Sequence, residues 1–231
     1  MTYIVLISSV LFGVILVQLV KDLQANAIKL LLAFSGAYLF AISVFHLLPE
    51  VYLGDSKRIG LFLLVGFILQ IVLEFFSNGI EHGHAHIHNK TIPISMLLSL
   101  GIHAYLEGMP LGGIDHHGHV HDHFEDSLLT GIALHKIPVT IVLMSLFAQA
   151  GYSKMKSFIL IAIFALMAPL GTLSGNLIQE LSHYHREIMA VVVGIFLHIS
   201  TTILFESSEA HKFNFQKLLA IGLGSILAWM I

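Results

Sequence analysis

The 231-residue sequence has no cysteine and few charged residues. Without cysteine it can form neither disulfide bonds nor thiolate metal sites. Only 11% of its residues are charged, whereas a soluble domain normally has about a quarter of its residues charged. Since 56% of the residues are apolar, most of the surface must face lipid. The net charge of −3, with histidine neutral, also argues against nucleic acid as a partner.

Histidine is present in excess, with 16 residues against 11 lysines and arginines together. A neutral imidazole is the commonest protein ligand for zinc, copper and nickel, and it titrates near physiological pH. These histidines lie inside the chain and alternate with other residues, unlike those of a purification tag. The composition therefore indicates a membrane protein with an affinity for divalent transition metals.

Eight segments approach the roughly 20 apolar residues that a helix needs to cross about 30 Å of hydrocarbon. Backbone groups in lipid must be satisfied within their own segment, so these segments are predicted to be helices. They are 3–20, 29–48, 58–77, 92–112, 127–149, 157–178, 188–206 and 214–231. We therefore predict an all-α integral membrane protein with eight transmembrane helices. Residues 1–231 would form a single polytopic transmembrane domain in the inner or plasma membrane.

The distribution of lysine and arginine between the loops predicts the orientation. The odd-numbered loops hold Lys21, Lys29, Lys90, Lys154, Lys156, Lys212 and Lys217, and the even-numbered loops hold Lys57, Arg58 and Arg186. Basic residues accumulate in cytoplasmic loops. The odd-numbered loops are therefore predicted to be cytoplasmic, with both termini outside.

Ionisable residues inside the spans are functional candidates, because a charge at mid-bilayer costs roughly 2–3 kcal/mol or more. His103 and Glu107 lie four residues apart in the fourth span, so they share one helix face. His135 and Lys136 lie in the fifth span. Two imidazoles and one carboxylate suit zinc and leave one coordination position open for exchange. The alternative is that these side chains only hydrogen-bond across the bundle.

Two prolines support the metal interpretation. Pro110 and Pro138 each follow three residues after a candidate ligand, Glu107 and His135 respectively. A proline inside a helix frees a carbonyl and bends the axis. Bent or broken helices near the midplane are typical of ion sites in transporters.

Several of these stretches resemble the ZIP (Zrt-, Irt-like protein) family of metal transporters. Residues 101–112 read Gly-Ile-His-Ala-Tyr-Leu-Glu-Gly-Met-Pro-Leu-Gly and resemble the family's fourth helix, His-Asn-x-x-Glu/Asp-Gly. Residues 131–138 read Gly-Ile-Ala-Leu-His-Lys-Ile-Pro and resemble its fifth, His-x-x-Pro-Glu-Gly. Residues 46–50, 168–171 and 194–197 are similar to parts of its second, sixth and seventh helices.

The resemblance implies a metal importer with a mononuclear or binuclear site between the fourth and fifth helices, and an elevator-like movement. The sequence departs from the family pattern at two positions. Ala104 stands where the family usually has Asn, and Val139 stands where it usually has Glu. Both departures remove oxygen ligands, so we carry over only His103, Glu107 and His135 as metal ligands.

Other residues in or near the spans are secondary candidates. Lys136 stands where several members of the family place a second-site ligand, so its ammonium would neutralise Glu107 and leave room for a single metal. His198, His46 and Glu50 are additional candidates for metal binding or for the pathway. A lone histidine such as His198 is also typical of a hydrogen-bonded packing residue. Glu74 and Glu206, near span ends on the predicted cytoplasmic side, are predicted to be solvated rather than to belong to the pathway.

Two loops concentrate the remaining histidines. They are predicted at 81–90 on the cytoplasmic side and at 115–126 outside. Neither has a helical pattern or enough apolar content to fold, and both should be flexible and bind metal by composition. Their histidines are His82, His84, His86, His88, His116, His117, His119, His121 and His123. The alternative is that they bind metal without affecting flux.

We therefore expect import of a divalent transition metal, with zinc the most suited cargo and other divalent ions able to enter. A metal exporter and a non-transporting metal-binding or sensing membrane protein remain alternatives. No H-E-x-x-H or H-x-x-H-H motif is present, so an enzyme is not expected. The expected partners are the metal ion and the lipid bilayer. A homodimer is left open, since small-residue faces such as 171–175 permit close helix contact.

Overall fold

The computed structural model describes residues 1–20, 25–53, 56–77, 79–80, 92–112, 122–178, 183–206 and 215–231. Within these ranges the regular structure is helical throughout. We name eight principal helices in chain order: α1 Thr2–Leu19, α2 Ala25–Ile42, α3 Ser56–Ser77, α4 Ile94–Gly108, α5 Asp122–Gln149, α6 Lys154–Leu177, α7 His185–Glu206 and α8 Phe215–Met230.

Seven of the described helices, α1 to α7, are long and apolar enough to cross a membrane. The eighth, α8, is apolar but has 16 residues, or about 24 Å at the α-helical rise. The predicted all-α membrane architecture, with seven to eight membrane-length helices, is confirmed. The side of the membrane on which the termini lie stays a prediction.

Two helix boundaries differ from the predicted spans. α2 continues beyond residue 48 through a π-helical segment, Ser43–Leu47, and a last turn, Leu48–Val51. α5 begins at Asp122, so the final residues of the loop predicted at 115–126 are helical. The sequence is acidic at this start, and acidic residues favour the positive end of a helix dipole. The flexible loop was thus predicted too long at its C-terminal end.

The helices pack as two sets. One set comprises α1, α4, α5 and α6, with α1 against α5 and α4 against α6 as its closest pairs. The other comprises α2, α3, α7 and α8, with α3 against α7 and α2 against α8 as its closest pairs. The sets meet mainly where α2 lies against α5 and α3 lies against α4. We call them the first and second helix sets.

Glycine allows the closest approach, between α4 and α6. A Cβ atom at Gly108 would lie 2.1 Å from the carbonyl oxygen of Ala168, and one at Gly171 would lie 2.0 Å from that of Tyr105. Only a residue without a side chain fits such backbone contact. The small-residue face at 171–175 is therefore filled by α4 of the same chain.

α5 is the central helix. Within Asp126–Gln149, 67% of an 18-residue apolar segment is buried, against 22% for the corresponding segment of α3. The ionisable residues of the fifth span therefore lie in the protein interior, away from lipid.

Candidate metal site

Three side chains that could ligate a metal converge between α4 and α5. They are His103 and Glu107 on α4 and His135 on α5, and all three are buried. One ligand atom from each lies within 4.8 Å of the others. In a tetrahedral zinc site, ligand atoms at about 2.1 Å from the ion lie about 3.4 Å apart. Modest side-chain rotations would therefore bring the three atoms to coordinating distance.

The two imidazoles approach the site from different directions. Their ring centroids lie 6.4 Å apart, and the rings are nearly perpendicular, at 87°. His103 Nε2 lies 2.9 Å from Glu107 Oε1, the contact expected for residues four apart on one helix face. The i,i+4 spacing on α4 thus places His103 beside Glu107, and α5 contributes the third candidate ligand, His135.

Lys136 supplies a positive charge to the same cluster. Its Nζ donates a hydrogen bond of 3.0 Å to Glu107 Oε2, the carboxylate oxygen that does not face His103. The ammonium also lies 5.1 Å from the centroid of the Phe164 ring on α6, within reach of a cation–π interaction. An ammonium has no lone pair and cannot ligate a metal. Lys136 is therefore a counter-charge to the carboxylate.

The helix ends around the site are shaped by proline, glycine and threonine. α4 ends at Gly108, and a 3₁₀ turn over Met109–Leu111 follows, with Pro110 in its first turn. The Thr172 hydroxyl of α6 donates to the Gly108 carbonyl at 2.9 Å. α5, by contrast, continues as a helix through Pro138. The fourth span is therefore interrupted just beyond Glu107, whereas the fifth is not.

The secondary candidates on α2 lie outside this cluster. His46 belongs to the π-helical segment of α2, and its Nε2 lies 2.9 Å from the Ala228 carbonyl oxygen of α8. Glu50 lies on the last turn of α2 and is half-buried. Neither residue belongs to the group of three converging ligands among the described residues.

His198 also lies outside the cluster and contacts a different carboxylate. Its Nε2 is hydrogen-bonded to Glu74 Oε2 of α3, and its ring meets Phe67 edge-on. The side chains of His198 and Glu74 are 13% and 21% exposed. Glu74 is therefore only partly exposed, and the α3–α7 packing gives it an imidazole partner that the prediction of a solvated residue did not include.

A family comparison adds to this geometry. Residues 81–231, about two-thirds of the chain, match the family model described as ZIP zinc transporter. The chain belongs to the ZIP zinc transporter family. A search of curated proteins finds no match to it.

Membership of the ZIP family places this chain among transporters of divalent metals, with zinc as the typical cargo, and not among enzymes. The matched region includes α4 and α5, and so all three converging ligands. It also covers both departures from the ZIP pattern. Ala104 and Val139 are buried beside the ligands in sequence, and neither offers an oxygen atom.

The His-rich segments of this ZIP protein fall almost wholly outside the described residues. This applies to 81–90 and to 113–121, which contain His82, His84, His86, His88, His116, His117, His119 and His121. His123 lies on α5, but its side chain is outside the description. The expected metal affinity of these segments stays a prediction.

Two polar contacts were not anticipated from the sequence. One is the Glu74–His198 pair. The other joins His185 at the start of α7 to the Pro110 carbonyl, with Nε2 3.0 Å from the oxygen. Their residues lie 124 and 75 positions apart, so no local spacing could have indicated either contact. The presence of a carboxylate and a histidine inside apolar spans was the available signal for the first.

Proposed function

We propose that this ZIP protein imports zinc through a site formed by His103, Glu107 and His135. The observation that carries the proposal is the convergence of their ligand atoms within 4.8 Å in the buried space between two membrane-length helices. Three protein ligands leave a fourth coordination position for water or for exchange. Such a site can release its ion, which transport requires.

The site holds a single metal ion in this proposal. The second oxygen of Glu107 would be the natural bridge to another ion, and Lys136 Nζ lies 3.0 Å from it. A second divalent cation there would meet an ammonium at close range in a medium of low dielectric constant, where like charges repel strongly. Metal analysis of the purified protein with the loop histidines replaced should find one zinc per chain.

An elevator-like movement of the first helix set against the second is supported by the packing. The closest helix approaches occur inside the sets, where a glycine lies directly against the backbone of a neighbouring helix. Gly66 packs in this way against Val191, and Gly108 against Ala168. At the α2–α5 contact between the sets, a Cβ at Gly131 would meet only side-chain atoms of Ile42, Leu39 and Tyr38, at 3.4–3.6 Å. Polar contacts between the sets lie elsewhere: Ser99 of α4 donates to the Leu73 carbonyl of α3, and His185 of α7 is hydrogen-bonded to the Pro110 carbonyl, so sliding must break both.

Inward transport is what the resemblance to the ZIP family implies, and the predicted orientation gives the two His-rich segments roles in it. With the 115–126 segment outside, its histidines would collect scarce ions at the entrance. The 81–90 segment would receive them on the cytoplasmic side. The density of histidine in both segments supports this arrangement, since imidazole binds zinc reversibly at neutral pH.

Zinc uptake into proteoliposomes tests the proposal. We expect wild-type protein to take up zinc, and His103→Ala and His135→Ala to lower uptake at least a hundredfold, because losing even an outer-shell partner typically costs 10–100-fold. His183→Ala removes an exposed histidine as a matched control and should leave uptake unchanged. Zinc binding without flux in the wild type would favour a sensing or storage protein. Net extrusion from intact cells would favour an exporter.

A further inference from the structure

The contact between Lys136 and Glu107 has a consequence for the transport cycle. Both side chains are almost completely buried, at 3% exposure for Lys136 and 1% for Glu107, and they lie on α5 and α4, which belong to the same helix set. The pair therefore travels together whenever that set moves. With neutral histidines, the pair makes the net charge of the cluster zero in the absence of a metal ion.

A carrier must cross the membrane twice in each cycle, once with its cargo and once without it. A buried carboxylate with no counter-charge is strongly unfavourable in such surroundings, because no water replaces the lost hydration. Glu107 alone would therefore oppose the return of the carrier after zinc is released. A carrier that lacks a counter-charge must recruit a proton or another cation for this step.

We propose that Lys136 is a built-in counter-charge that neutralises Glu107 during the return step, so that the carrier returns without a co-transported cation. The inference rests on the proposed function. Lys136 suits this role because it is attached to the moving helices and cannot act as a metal ligand. Its ammonium lies over the Phe164 ring of α6, and its long flexible stem lets that ammonium shift when a metal ion approaches the carboxylate.

When zinc is bound, the positive charge of Lys136 is unfavourable, whereas in the empty site it is favourable. A divalent cation held by Glu107 is repelled by the nearby ammonium, so Lys136 weakens zinc binding and favours release. Removing the charge should therefore have two effects of opposite sign. It should tighten zinc binding, and it should slow the return of the carrier. A residue with only a structural role would not separate these two effects.

The experiment compares two fluxes through Lys136→Met in proteoliposomes. Net uptake of radioactive zinc into vesicles that contain a chelator requires the return step. Exchange of radioactive for unlabelled zinc, with saturating zinc on both sides, does not require it. We expect the ratio of net uptake to exchange to fall at least tenfold in Lys136→Met. The apparent affinity, measured separately from the dependence of exchange on the external zinc concentration, should rise. Lys136→Arg keeps the charge and should restore the ratio.

A matched control is Lys217→Met, which removes another lysine on an apolar helix. Lys217 donates to the Leu204 carbonyl at 2.8 Å and lies outside the cluster, so its loss should leave the ratio at the wild-type value. The proposal is overturned if Lys136→Met keeps the wild-type ratio, or if Lys136→Arg fails to restore it. Absence of both fluxes in the wild type would instead refute the proposed transport function.

A measurement on the wild type keeps the proposal testable if the methionine variant does not fold. Voltage steps applied to membranes that contain the protein without zinc should produce no transient current from this cluster, because its net charge is zero. A zinc-free transient current that is abolished by Glu107→Gln would overturn the proposal. In Lys136→Gln, which retains a hydrogen-bond donor of similar shape, such a current should appear.

Discussion

The carbonyl group of Gly108 accepts a hydrogen bond of 2.9 Å from the hydroxyl of Thr172, and this contact ties the end of α4 to α6 one residue beyond Glu107. On the same surface the Tyr105 hydroxyl donates to Ser174 Oγ at 2.8 Å. The carboxylate is thus held on a helix end that contacts with α6 fix in place. The position of Glu107 therefore depends on the close backbone packing of α4 against α6 as well as on its i,i+4 spacing from His103.

Gly108→Ala should destabilise the protein. The added methyl group would lie 2.1 Å from the Ala168 carbonyl oxygen, so α4 and α6 must separate. Overpacking of this kind typically costs about 1–3 kcal/mol. We expect a lower midpoint of thermal unfolding in detergent and weaker zinc uptake.

Gly222→Ala is the matched control for this substitution. Gly222 lies in α8, and a Cβ atom there would meet nothing within 4 Å. Alanine in a helix interior is favoured over glycine by roughly 0.5–1 kcal/mol, so this variant should be as stable as the wild type or slightly more so. Equal unfolding midpoints for the two variants would contradict the proposed α4–α6 contact.

Cross-linking the two helix sets should stop transport. The chain has no cysteine, so introduced cysteines are the only thiols. A Cβ at Gly131 would lie 3.4 Å from Leu39 Cδ2, across the contact between the sets. In Leu39→Cys/Gly131→Cys, a short bifunctional thiol reagent should lower uptake about tenfold if the sets must slide, and a reducible linker should allow recovery on reduction.

The matched control joins two helices of the first set. In Gly101→Cys/Met167→Cys, a Cβ at residue 101 would lie 3.7 Å from Met167 Cγ, so this pair also joins residues in van der Waals contact. Its cross-linked form should keep most of its uptake, because α4 and α6 move together. Equal inhibition of both cross-linked proteins would contradict the sliding movement.

The positions of the helices and the three converging ligands could be predicted from the sequence. The helices and the His103–Glu107 pair depend on local quantities, namely the length of apolar runs and the i,i+4 spacing. His135 joins the pair from another helix, and its place in the site was inferred from the resemblance to the ZIP family and from the expected packing of neighbouring spans. The partner of His198 could not be predicted, because it depends on how α3 packs against α7. The division into two helix sets is equally non-local, since it depends on which glycine meets which neighbouring backbone.

Local irregularities also escaped the sequence analysis. The π-helical segment Ser43–Leu47 lies in a continuous apolar run, and hydrophobic periodicity is too coarse to show one residue of extra winding. The start of α5 at Asp122 was missed because its histidine and acidic residues look like loop composition. Polar composition alone does not exclude the first turn of a helix, where acidic residues are favoured.

Replacing the nine histidines of the two His-rich segments with asparagine, including His123 at the start of α5, should reduce uptake at limiting zinc severalfold and have little effect at saturating zinc. The histidines raise the local concentration of ions without taking part in the central site. Protons compete with metal for imidazole, so this advantage should be present near pH 7.5 and lost as the pH falls through about 6.5. The measurement is uptake at limiting zinc by the wild type and by the asparagine variant at both pH values. Equal uptake by the two at pH 7.5 would show that the His-rich segments bind metal without affecting flux.

The coordination shell of bound zinc tests the central claim most directly. X-ray absorption at the zinc edge can count imidazole ligands, and the loop histidines should be replaced first so that only the central site contributes. We predict two imidazoles and one carboxylate among the ligands, with one imidazole lost in His135→Ala and in His103→Ala. A spectrum that neither substitution changes would contradict the assignment of His103, Glu107 and His135 as the zinc site.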